Sequence, residues 1–111
     1  MALLTIRNNS RFAVRHAIRL RGPGGEVLDG LLVEISLGGC RVSNVDARGL
    51  RMHDEVTAVI DGFEDMACQV RWLGDGVIGL RLHRPLHCDR LERIIGHCRM
   101  TQRGEELRYG T

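Results

Sequence analysis

The alternation of apolar and polar residues divides the chain into six short extended runs followed by one helical run. The first, Phe12 to about Arg21, sets Val14, Ile18 and Leu20 among Arg15, Arg19 and Arg21. Gly22-Pro23-Gly24-Gly25 ends it with the clearest turn signal in the chain. A second run from Glu26 to Ile35 contains Leu31-Leu32-Val33, and a third covers Cys40 to Asn44. A polar connection over residues 45–54 leads to a fourth run, Glu55 to Ile60, in which Val56, Ala58 and Ile60 alternate. Asp61-Gly62 is a hairpin signal before a fifth run, Phe63 to Leu73. Gly74-Asp75-Gly76 turns the chain again into Val77 to His83. After Pro85 the period changes. Leu91, Ile94, Ile95 and Cys98 fall at i, i+3, i+4 and i+7, one face of a helix for which Asp89 is the expected N-cap.

Six strands at this spacing, separated by glycine turns, predict a mostly β fold: a small six-stranded antiparallel barrel with a C-terminal α-helix across one end or face. The expected organisation is a flexible arginine-containing arm at 1–11, one domain at 12–99 and a polar, frayed tail at 100–111. No second domain or internal repeat is visible.

Composition narrows the function classes. Hydrophobic residues make up 43% of 111, enough for a core, and only four residues are aromatic, so that core should be aliphatic. A net charge of +2 makes no case for bulk DNA or RNA binding. All 16 basic residues are arginines, and no acid precedes Glu26. Cys40, Cys68, Cys88 and Cys98 are scattered without a C-x-x-C pair, and no membrane-spanning run or secretory signal is evident. The expectation is a cytoplasmic protein with buried, reduced thiols and no membrane insertion.

The candidate chemistry centres on Glu34-Ile35-Ser36-Leu37-Gly38-Gly39. An acid and a hydroxyl two residues apart share a face in an extended segment. Gly38 and Gly39 are read as supplying positive φ and close approach of a ligand to the backbone. Upstream, Arg7-Asn8-Asn9-Ser10-Arg11 places two arginines four apart before the first strand; Arg11 with Arg15 is the alternative pair.

An Arg-x-x-x-Arg arm, a strand, a hairpin and then an acid-x-Ser-x-x-Gly motif together resemble the PilZ domain, a bacterial receptor module for cyclic di-GMP. Gln69-Val70-Arg71-Trp72 and Gly79-Leu80-Arg81-Leu82 are similar to its closing strands, and the resemblance spans about residues 7–98. It implies cyclic di-GMP binding through Arg7, Arg11, Glu34, Ser36 and Gly39, with Arg15 and Trp72 as further candidates. The family's usual Asp or Asn is Glu34 here, one methylene longer.

The residue chemistry fits such a ligand. An arginine fork matches guanine O6 and N7, while guanine N1 and N2 donate and need acceptors such as Glu34 and Ser36. Trp72 could stack on a base or sit in the core. His83, His87, Cys88, His97 and Cys98 lack zinc-site spacing and are expected at strand and helix ends, so neither a metal nor a cofactor is expected. No G-x-S-x-G, P-loop or H-E-x-x-H motif supports an enzyme. Three functional readings are open: a cyclic di-GMP receptor whose arm orders on binding and signals to a protein partner, an adaptor of the same fold without ligand, and a small barrel binding single-stranded nucleic acid. Scarce aromatics and modest charge disfavour the last.

Overall fold

Residues 10–108 are described by a computed structural model, those from 101 to 108 by their backbone only. Their elements are β1 (Phe12–Arg21), β2 (Val27–Ile35), β3 (Gly39–Ser43), β4 (Glu55–Val59), β5 (Met66–Gly74), β6 (Val77–Leu82) and α1 (Cys88–Arg108). The strands close an antiparallel barrel in the order β1-β2-β3-β6-β5-β4, so β4 returns to pair with β1. Each strand thereby has a paired neighbour on both sides, although β1 meets β4 only over Arg19, Leu20 and Arg21. The predicted strands agree with these to within a few residues at each end.

Inward side chains fill the barrel with aliphatic residues: Ile18 and Leu20 from β1, Leu32 and Ile35 from β2, Val42 from β3, Val56 and Ala58 from β4, Val70 from β5, Ile78 and Leu80 from β6. Among the described residues no polar or charged side chain is buried. The connection over residues 45–54, polar in sequence, contributes Val45 and Leu50 to this core. Its backbone is tied to β5 by hydrogen bonds between Val70 and both His53 and Asp54. Asp75 and Gly76 both take positive φ, as a two-residue hairpin between twisted strands requires.

Three irregularities break the alternation. From Ala13 to His16 on β1, three steps oppose the two from Glu34 to Leu32 on β2. Those two in turn oppose the single step from Arg41 to Val42 on β3. On β5 an extra residue, Arg71, stands between Val70 and Trp72 where β6 takes one step. A bulge of this kind reverses the face of the residues beyond it. Leu32 and Val70 point into the core, whereas Glu34 and Trp72 point outward.

In α1 the predicted stripe is the buried one: Leu91, Ile94, Ile95 and Cys98 are all sealed from solvent. The helix packs chiefly against β1, where the His97 ring meets His16 at 5.1 Å; the same ring meets Phe63, between β4 and β5, edge to face at 5.4 Å. Four expectations change here. Cys88, not Asp89, opens the helix, so Asp89 lies in the first turn, where a carboxylate still opposes the positive helix end. The helix also continues to Arg108, through residues expected to fray, because Gln102, Arg103, Glu105, Glu106 and Leu107 are all good helix formers. His97 and Cys98 lie within the helix and not at its end. Cys88 is exposed, against the expectation of four buried thiols. The other three are buried, and burial is the main cause that pushes Cys68 up to about 12 and Cys98 up to about 11.

Packing of α1 on the barrel predicts a sharp contrast between two of its apolar residues. Ile94→Ala should cost about 2–5 kcal/mol of unfolding free energy in a denaturant titration. Met100→Ala, at a position 75% exposed, should stay within about 0.5 kcal/mol of wild type.

Candidate functional site

Beside the β2–β3 turn the barrel wall carries an open cleft of about 270 Å³. Arg11, Glu34, Ser36, Gly38, Gly39 and Arg41 line one side of it, and Arg71, Gly79, Leu80 and Arg81 lie opposite. The strands lay this surface out in two rows. Antiparallel pairing aligns Ala13, Glu34, Arg41, Gly79 and Trp72 across five strands. The next row runs Gly39, Arg81, Gln69, Glu55. Both rows lie on the outer face, with Cys40, Leu80 and Val70 behind them in the core.

The turn itself is rigid. Ser36 N–H donates to the Gly39 carbonyl at 2.9 Å, and the Ser36 hydroxyl donates to the same oxygen at 3.2 Å. The Gly38 carbonyl accepts from Leu82 N–H at 2.8 Å, and that of Leu37 accepts from Leu86 N–H at 2.7 Å. With its proton committed to Gly39, the Ser36 oxygen has only lone pairs left for a ligand, which makes it an acceptor. Glu34 faces Arg11 across 3.8 Å, an exposed ion pair worth about 0–1 kcal/mol and easily exchanged for another partner.

Arg11, Glu34, Ser36 and Gly39, expected to act together, do meet at this cleft. Arg7 lies outside the described residues. Arg15 is exposed at the β1 irregularity and is not part of the lining. Trp72 is half exposed and stands at the rim, its ring 5.9 Å from the Arg41 guanidinium, so it is not a core residue. The expectation of positive φ at Gly38 and Gly39 is not met; the glycines that adopt it are Gly25, Gly62 and Gly76. Gly39 is small for a different reason. A Cβ there would stand 2.3 Å from the Leu80 carbonyl oxygen, so the close approach it permits is that of β6.

Arg41, Arg71 and Arg81 were not anticipated as site residues. Arg41 and Arg81 were within reach, since each sits between inward-facing residues, Cys40 and Val42 or Leu80 and Leu82. What sequence lacked was the β3–β6 pairing that brings them to one surface. With them the lining holds four arginines against one carboxylate, a strongly anion-attracting surface.

The PilZ domain family profile matches residues 5–99, and the chain belongs to that family, whose members are known as cyclic di-GMP receptors. Among solved structures it is similar to the PilZ domain of CeSA from a cellulose-synthesizing bacterium. That likeness has a TM-score of 0.58 at 19% identity and covers 70% of this chain and 84% of that one, a match of fold. Among curated proteins none matches this chain. No helix among the described residues is long and apolar enough to cross a membrane.

The contact at Gly39 predicts a loss of stability independent of any ligand. Gly39→Ala must push β3 away from β6, because the obstacle is backbone. The expected cost is about 1–3 kcal/mol, read from chemical denaturation of the free protein. Unchanged stability would return Gly39 to a purely ligand-related role.

Proposed function

We propose that this chain is a cytoplasmic cyclic di-GMP receptor whose ligand sits in the cleft beside the β2–β3 turn. The observation that carries the reading is the convergence of Arg11, Glu34, Ser36 and Gly39 on one cationic cleft. Guanine is suited to it from both edges. Its N1 and N2 hydrogens need acceptors, and the Glu34 carboxylate and the Ser36 lone pairs provide them. Its O6 and N7 accept a paired contact from an arginine fork, which Arg11, joined by Arg7 of the arm, would supply. The two phosphates offset part of the charge of the arginine-rich lining.

In this reading Arg11 exchanges its contact with Glu34 for the ligand, and the arm closes over the cleft. An order–disorder step in the arm then alters the surface offered to a protein partner. The adaptor alternative draws support from the same Arg11–Glu34 contact, through which the site partly satisfies itself without a ligand.

Calorimetric titration with cyclic di-GMP tests the central claim, with saturable binding expected. Amide hydrogen exchange should show protection appearing across residues 7–11 when ligand is added. Equal exchange at saturation would remove the arm from the mechanism.

Arg11→Ala should weaken binding about tenfold to a hundredfold, the loss of one charge-assisted fork worth about 1–3 kcal/mol. Arg15→Ala, outside the cleft, should change affinity little. The reverse order would move the arginine pair to Arg11 and Arg15.

Glu34→Asp shortens the acceptor at constant charge and withdraws it from Arg11. Binding should tighten by up to about 1 kcal/mol, the scale of one hydrogen bond. Weaker binding would mean that the site is fitted to the longer side chain. If neither form binds while both remain folded by circular dichroism, the adaptor reading stands.

A further inference from the structure

We propose that Arg71 and Arg81 form a phosphate-holding pair on the barrel wall, engaging the ligand's phosphates independently of the arm. The inference rests on the receptor reading above and adds residues that lie outside its arm and turn motifs.

Its basis is where these two arginines stand and what they lack. Arg19, Arg21, Arg48 and Arg90 each have a carboxylate within ion-pair distance, at Asp61, Asp65, Asp46 and Glu64 respectively. In the cleft the lone acid, Glu34, faces Arg11. Arg41 lies over the Trp72 ring, a cation–π contact that holds its guanidinium at the rim. Arg71 and Arg81 are exposed and, like Arg15, Arg51, Arg84 and Arg93, make no ion pair or side-chain hydrogen bond among the described residues, but of these six only Arg71 and Arg81 line the cleft. Like charges on neighbouring strands repel, and the one carboxylate in the lining, Glu34, faces Arg11 and not this pair.

The backbone supports the same assignment. Arg81 projects from β6 directly opposite Gly39, and Arg71 is the extra residue of the β5 bulge. Between them and the turn the surface is lowered by Gly38, Gly39 and Gly79, which leaves room for a bulky anion against the wall. Both arginines sit on paired strands of a closed barrel, so the backbone fixes where each side chain leaves the wall before any ligand arrives. A guanidinium fork donates two parallel hydrogen bonds to phosphate oxygens. A phosphodiester is anionic throughout the physiological range, so this pair attracts it at a distance, while the arm makes its contacts after docking.

The test is calorimetric titration of cyclic di-GMP into wild type, Arg71→Gln, Arg81→Gln, Arg71→Lys and Arg81→Lys, each at low and moderate salt. Each Gln variant should lose affinity by about tenfold or more, with a shallower dependence on salt. Each Lys variant should recover a substantial part of the loss, since a phosphate accepts a point charge. Neither side chain is a structural partner, so the variants should keep the wild-type circular dichroism and melting temperature. If a Gln variant unfolds, its Lys counterpart decides by binding within about tenfold of wild type and keeping the salt dependence. Gln variants that bind like wild type with the same salt dependence overturn the proposal and leave the receptor reading intact. Lys variants as poor as Gln also overturn it, because the site then needs a flat fork or a stacking plane. Absence of binding by wild type ends the receptor reading and this inference together.

Discussion

Two of the barrel's three irregularities, the extra residues Val33 in β2 and Arg71 in β5, decide what the cleft is made of. Under strict alternation Glu34 would share a face with Leu32, and Trp72 with Val70, both inside the core. A carboxylate there would be desolvated without a partner, at a cost large enough to prevent folding or to force protonation. Each bulge returns the next residue to the outer face and lets Ile35 or Leu73 resume packing inside. The acid and the aromatic then stand in one row, with Arg41 and Gly79 between them.

Local pattern carried the sequence reading as far as local pattern can. The strands, their turns and the buried stripe Leu91, Ile94, Ile95 and Cys98 all come from periodicity within a few residues of the chain. The turn from Glu34 to Gly39 and its link to Arg11 were legible because composition and spacing mark them. Arg41 and Arg81 were hidden by a different kind of information: their meeting depends on β3 pairing with β6, between which lies a crossover spanning β4 and β5. Gly39 shows the same limit. Its turn suggested conformational freedom, but the reason for glycine is the Leu80 carbonyl on a strand about 40 residues away.

Strand pairing at the cleft means that a ligand there would be held by side chains. At the cleft β3 is paired with β2 on one side and β6 on the other, and β6 with β5, so these strands leave a ligand no free run of N–H and C=O groups there. The outer face must supply donors and acceptors through its residues, and it does so unequally. Arginines on β3, β5 and β6 provide donors only. The acceptors are Glu34 and Ser36, both beside the turn, and the Ser36 hydroxyl is held in that role by its bond to Gly39. A ligand suited to this surface carries negative charge over most of its contact area and donor hydrogens at one edge. A guanine nucleotide joined through phosphodiesters has that distribution, and a simple anion has not.

The same geometry limits where a binding event could be passed on. The arm enters the barrel at Arg11 and Phe12, and the first β1 irregularity comes at once, between Ala13 and His16. That short segment is where α1 is anchored: Arg99 donates to the Ala13 carbonyl at 3.3 Å, and His97 packs its ring on His16. The bulged backbone there is less constrained by ladder hydrogen bonds than the regular pairing from Ala17 to Arg21. A ligand that took Arg11 from Glu34 would therefore act on the least regular part of β1 and on the contacts that seat the helix. The β2 and β5 bulges are irregular too, but of the three only the β1 irregularity lies where α1 is seated. If the proposed receptor has an output surface distinct from the arm itself, the physics favours the face that α1 and the start of β1 make together.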